Sequence, residues 1–85
     1  MLLTKLKQRI LMELVAGNDS FREHDLGITN RFLTEGVLAL EREGYIYLNK
    51  SQLTPTYIYT MKGTQLTNQG ILYIKQFKRD NKTRS

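Results

Sequence analysis

Apolar residues recur at two different spacings along this chain, and the point where the spacing changes divides it. Leu3, Leu6, Ile10 and Leu14 fall on one helical face, with Leu11 beside it, which predicts a first helix over 3–16. Gly17 and Asn18 follow, two residues suited to a helix C-terminus. "DSFREHDL" predicts a short second helix. Ser20 and Glu23 have the spacing of a capping box there, and Phe21 and Leu26 supply apolar anchors before Gly27 closes the turn. A third helix is predicted over 29–43, from Thr29, a good N-cap, to the stop at Gly44. Leu33, Gly36, Val37 and Leu40 make its inner stripe, flanked by Phe32 and Ala39. A glycine inside a helix costs about 1 kcal/mol relative to alanine. Gly36 therefore points to a close helix–helix crossing.

Past Gly44 the period shortens to two. "YIYL" and "TYIYTM" are rich in β-branched and aromatic residues, and "NKSQLTP" lies between them. This predicts a β-hairpin over 45–61 with a polar tip. Pro55 stands where the return strand begins, and Lys62 and Gly63 end it. "LTNQGILYIKQFK" then predicts a final helix capped by Thr67, with Gly70, Tyr73, Ile74 and Phe77 inside and Ile71 flanking. Three helices, a hairpin and a closing helix make an α+β fold of the winged helix-turn-helix kind, a three-helix bundle with a two-stranded wing and a C-terminal helix. The domain is expected to occupy 1–78, and 79–85 to be a basic, disordered tail.

Composition fits one small domain. At 85 residues a single core is near the lower limit of sufficiency, and 40% apolar content is enough to build it. The absence of cysteine removes disulfides, thiolate metal sites and cysteine nucleophiles together. No apolar run approaches a membrane span, and "MLLTKLKQRILMEL" reads as structure, not as a signal peptide. A cytoplasmic protein with no membrane association is expected.

Charge is distributed unevenly. Residues 1–12 carry a net +3, residues 13–43 a net −4 and residues 44–85 a net +6, within an overall +5. The basic balance invites a polyanionic partner, while the acidic middle opposes one.

"ILMELVAGN", "DLGIT", "LEREGYI" and "LTNQGILYI", in this order and spacing, resemble the YjcQ family, small winged-helix proteins of Gram-positive bacteria and their phages. The resemblance covers roughly residues 5–77. It implies the fold and a phage or prophage setting, and it carries no binding or catalytic residue with it.

Catalytic chemistry finds little support. His24 is the only histidine, and Asp19, Glu23 and Asp25 lack the loop spacing and glycine of a calcium site. No phosphate-cradling loop or nucleophile elbow is present. Neither an enzyme, a cofactor, a metal nor a small-molecule substrate is expected.

Two binding readings remain. In the first, the third helix enters the major groove of double-stranded DNA by its N-terminal outward residues. Arg31 would fork onto guanine, Asn30 would pair with adenine, and Thr34 would take a phosphate or a thymine methyl. Lys50, Gln52 and Tyr57 of the wing would reach a neighbouring groove or backbone, and Lys5, Lys7 and Lys62 would hold phosphates. Glu35, Glu41 and Glu43 on the same helix would be repelled. Few cations imply weak binding by a monomer, which a homodimer would strengthen. In the second reading the scaffold is a protein-binding module, a phage-encoded modulator of a host protein. It would dock through Met12, Leu38, Leu72 and Tyr57, apolar or aromatic positions off the core stripes. The fold and the basic ends favour DNA.

Overall fold

The computed structural model describes residues 2–49, 51 and 53–84, the last five of these by backbone alone. In chain order the elements are α1 (Leu3–Val15), a 3-10 turn (Glu23–Leu26), α2 (Asn30–Arg42), β1 (Ile46–Tyr47), β2 (Gln65–Leu66) and α3 (Asn68–Arg84). Three helices pack around a two-stranded antiparallel sheet.

α1 buries Leu6, Ile10 and Leu11 against α2, with Leu3 and Leu14 at the margin. It ends in a Schellman motif. Asn18 N–H bonds Glu13 O at 2.9 Å and Gly17 N–H bonds Leu14 O at 3.0 Å, a geometry Gly17 permits with φ of 83°. α2 ends the same way at Gly44, where Tyr45 N–H bonds Leu40 O and Gly44 N–H bonds Glu41 O. The helices cross closely at Gly36. A Cβ there would stand 2.8 Å from Leu6 Cδ2, so the sequence-predicted contact is present.

The second predicted helix is a single 3-10 turn. Ser20 and Glu23 do not form its capping box. Asp25 Oδ2 instead accepts from Arg22 N–H at 2.7 Å, and Asp25 N–H returns to Arg22 O. Gly27, at φ of 68°, ends the turn before it can lengthen. Phe21 anchors this corner in the core.

The sheet departs from the predicted ribbon over 45–61. Ile46 pairs with Leu66 and Tyr47 with Gln65, so the partner of the first strand is 65–66 and not 56–61. Within the connection, among the described residues, Ile58 pairs only with Leu53, in an isolated antiparallel bridge around a tight turn at 54–57. The alternation of "TYIYTM" holds over Tyr57, Ile58 and Tyr59, breaks at the buried Met61, and serves another purpose. Ile58 and Met61 point into the core and Tyr57 and Tyr59 point out. The backbone groups of Ile58 are taken by an α2 side chain and so are unavailable to a ladder.

α3 packs on α1 and β2 through Gly70, Ile74 and Phe77, with Tyr73 stacked between Tyr45 and Phe77 at centroid distances of 4.7 and 5.2 Å. Its helical backbone continues to Arg84, into the 79–85 segment set apart above. No helix among the described residues is long and apolar enough to cross a membrane.

Candidate nucleic-acid interface

The outward face of α2 follows from what its inward face must do. Leu33, Gly36, Val37 and Leu40 are buried, which leaves Arg31, Glu35, Leu38 and Arg42 on the opposite side. These lie at i, i+4, i+7 and i+11, one continuous stripe. Arg31, Glu35 and Arg42 are exposed and Leu38 is half-buried. Together with Pro55 and Thr56 they line a shallow hollow between α2 and the 53–58 turn. Eleven residues of helix separate the two arginines by about 16 Å along the axis.

Two of the expected DNA-reading residues are not on this face. Asn30 is half-buried, and its side-chain amide clamps the backbone of Ile58. Asn30 Nδ2 donates to Ile58 O at 2.8 Å, and Ile58 N–H donates to Asn30 Oδ1 at 3.1 Å. Thr34 is only 2% exposed. Its Oγ1 lies 2.9 Å from Asn30 O and 3.1 Å from Asn30 Oδ1, so its one proton is used within the helix. Both side chains are committed to contacts within the protein and do not face outward. Their burial has one cause: the 53–60 segment folds back onto the start of α2, and its backbone polar groups need partners once they leave water.

A second strap holds the same segment. The Arg22 guanidinium donates to Tyr59 O and to Glu23 Oε2, the latter at 3.2 Å. Glu23 is held below the usual carboxylate range by its own backbone N–H, against the opposing effect of burial, and with help from Arg22 and the Asn30 amide. The Arg22 guanidinium is raised by its hydrogen bond to Glu23. His24 is exposed, with Nε2 3.5 Å from Asp25 Oδ1.

The remaining cations sort by what already neutralises them. Lys7 Nζ sits 2.6 Å from Glu43 Oε1, so the charge expected to hold a phosphate is engaged within the protein. Lys5, Arg31, Arg42 and Lys62 are exposed, and among the described residues no acid is paired with them. Lys50 and Gln52 lie outside the described residues.

The four apolar positions assigned to a protein partner do not form one surface. Met12 is half-buried and packs on the core, so the expectation that it points away from the helix's core face is corrected. Leu38 shares a small apolar hollow with Leu53, Pro55 and Glu41. Leu72 is 57% exposed and lines a different hollow with Tyr45 and Tyr73, while Tyr57 packs on Tyr59 at 5.0 Å.

Sequence reasoning missed Arg42 and the Asn30–Ile58 clamp. Arg42 was visible, because it stands three turns from Arg31. The clamp was not, because nothing local pairs residue 30 with residue 58.

Over 73 residues the chain is 37% identical to the uncharacterized protein YjcQ of Bacillus subtilis (strain 168), a match that covers 85% of this chain and 76% of that protein. No family profile matches the chain. No solved structure matches it.

Proposed function

We propose that this chain, which belongs to the YjcQ family, is a DNA-binding regulatory protein on a winged-helix scaffold, acting in the cytoplasm in a phage or prophage setting. The reading rests on one observation. A helix fixed on its inner side by the core and at its start by the Asn30 clamp leaves the stripe Arg31, Glu35, Leu38 and Arg42 facing solvent.

The physical case is one of dimensions and chemistry. The major groove is about 12 Å wide and admits a helix. Two arginines about 16 Å apart on one helix face suit phosphates on the two strands that flank it. Glu35, between them, is then no longer a simple source of repulsion. A carboxylate at that position accepts from the exocyclic amine of cytosine, and Leu38 offers an apolar contact to a thymine methyl. Lys62 extends the phosphate contacts, and a homodimer would double them. As a binding protein it needs no cofactor and carries out no chemistry.

The test is duplex affinity against salt, read by fluorescence anisotropy. Arg31→Ala and Arg42→Ala should each weaken binding and flatten the slope of log K on log salt by about 0.9. Glu35→Gln should change base preference with little change in slope. Duplex binding that is absent, or that ignores salt, would end this reading.

The apolar hollow of Leu38, Leu53 and Pro55 favours a second reading, docking of a host protein on the same face. Here Leu38→Asp should abolish capture of that partner in nuclease-treated lysate while the fold survives.

A further inference from the structure

α3 is longer than its packing requires. It runs for 17 residues, about 25 Å, yet its buried positions among the described side chains are Gly70, Ile74 and Phe77. From Lys75 to Arg84 the sequence holds five bases, Lys75, Lys78, Arg79, Lys82 and Arg84, against Asp80 alone. That is a net +4 in ten residues of a chain whose total is +5, so this stretch supplies most of the net charge of the molecule.

Elsewhere the cations divide into two groups, since Lys5, Arg31, Arg42 and Lys62 are exposed with no acid paired among the described residues. Lys7, Arg9 and Arg22 are each paired with a glutamate. Lys75 and Lys78 are exposed, and among the described residues no acid is paired with either. Unpaired like charges spaced along one helix repel one another by a few tenths of a kcal/mol per pair. They are a burden on the isolated protein that an anionic partner would remove.

The chemistry of the surface narrows that partner. A lipid surface needs a broad apolar face beside the cations. Here Ile74 and Phe77 are consumed by the core, and the exposed apolar residues are Ile71 and Leu72, adjacent in sequence and a turn before the lysines. A second copy docking through this segment would bring two sets of like charge together. A regularly spaced polyanion such as a phosphodiester backbone fits both the charge and the length.

We infer that the α3 face carrying Lys75 and Lys78 is a second, sequence-independent contact for the DNA backbone, separate from the α2 stripe. The inference rests on the duplex-binding reading. It assigns to α3 the affinity that the acidic α2 region supplies poorly, and it leaves base selection to α2. α2 and α3 both pack on α1, so the two contacts belong to one rigid support.

The experiment compares the full chain with Lys75→Gln/Lys78→Gln, Lys75→Arg/Lys78→Arg and Arg31→Ala/Arg42→Ala. The probe is a random-sequence duplex titrated at several salt concentrations, with thermal melts confirming that each variant is folded. The glutamine pair should bind every duplex more weakly, with the salt slope reduced by about 1.8, and the arginine pair should bind as the parent does. An unchanged slope in the glutamine pair, with binding lost in the α2 pair, overturns the inference and leaves the first reading intact. Loss in the glutamine pair with none in the α2 pair supports the inference and removes the α2 stripe as the contact. Failure of the parent to bind any duplex overturns both. Poly-glutamate competing as well as DNA would also overturn it, since it would show a general preference for acidic chains.

Discussion

At the start of α2 the chain reads Thr29-Asn30-Arg31-Phe32, and at the start of α3 it reads Thr67-Asn68-Gln69-Gly70. The local structure is the same. Each threonine hydroxyl accepts from the backbone N–H three residues on, at 3.1 Å in α2 and 3.0 Å in α3. Beyond the cap the two starts diverge. In α2 the threonine does no more than cap, and Asn30 reaches across 28 positions to hold both backbone groups of Ile58. In α3 the asparagine is exposed, and the threonine makes the long contact. Thr67 Oγ1 donates to Gly44 O at 2.6 Å, and Thr67 N–H donates to Tyr45 O at 3.1 Å. The same dipeptide thus serves two architectures. What decides between them is which neighbouring segment arrives with unpaired backbone groups. At α2 that is the 53–60 turn, and at α3 it is the chain leaving α2.

The fourth residue of each start gives the largest contrast. Phe32 has room to pack on the core, whereas a Cβ at position 70 would run into the carbonyl oxygen of Tyr45. Backbone cannot swing aside as a side chain can. Gly70→Ala should therefore destabilise by about 3 kcal/mol or more, at the upper end of overpacking effects. Gly36→Ala is the control. Its Cβ would meet only side-chain atoms, of Leu6 at 2.8 and 3.1 Å and of Ile10 at 3.3 Å, and it regains about 1 kcal/mol of helix propensity. Urea unfolding of the two variants should separate them clearly. Equal midpoints would mean that the approach of the Tyr45 backbone to α3 is not rigid.

The asparagines come next. Asn30→Ala removes both partners of Ile58 and leaves a buried N–H and C=O unsatisfied, an effect of about 2–4 kcal/mol. Asn68→Ala, at an exposed site, should stay within about 0.5 kcal/mol of the parent. The comparison would break if the two alanine variants unfolded together. The duplex experiment bears on the same residue, because Asn30→Ala should lower affinity only through stability, and not by removing a base contact.

These two starts also show what could be read in advance. The Thr29 and Thr67 caps, the glycine ends of α1 and α2 and the inner stripes of the helices follow from local rules, because each involves residues within a few positions of one another. Gly36 marked a crossing by its place in a helix, although its partner Leu6 lies on α1. The outward placement of Arg31 follows for the same reason. Asn30 and Thr34 also looked outward by angular count, and Thr34 stands only one residue short of Glu35, which is exposed. A clamp between residues 30 and 58 covered them, and it has no local signature. The hairpin misled for a related reason. Alternation over Tyr57, Ile58 and Tyr59 records which side chains are buried, and a segment lying on a helix can alternate over three residues as a strand does. Lys7 was visible as a cation, but its neutralisation by Glu43 depends on how α1 crosses α2.

The threonines should differ less than the asparagines. Thr29→Val loses a cap, about 1 kcal/mol. Thr67→Val loses the cap and also the bond to Gly44 O, so about 2 kcal/mol is expected. A thermal melt of both variants measures the difference. If Thr29→Val proved the more damaging, the long contact at α3 would have little energetic weight.

The smallest effect concerns pH, and it separates the two starts by chemistry. Glu23 titrates below its ordinary range, first through its own backbone N–H and then through Arg22 and the Asn30 amide. A carboxylate whose folded pKa is depressed adds stability above its unfolded pKa, and that stability is lost as pH falls through the folded value. Unfolding free energy should therefore decline in acid partly through this group, and Glu23→Gln should flatten that part of the profile. The pair with Arg22 is close to the surface, so the change is at most about 1 kcal/mol. Asn30→Ala should flatten the same part of the profile, because it removes one of the donors that hold the carboxylate ionised. Thr67→Val should not, since the partners of Thr67 are backbone carbonyls that do not titrate there. Urea midpoints at neutral and acid pH for the three variants give the comparison. Parallel acid profiles for all three would show that the start of α2 and the start of α3 differ in geometry but not in charge, and that the Glu23–Arg22–Asn30 group is a steric strap alone.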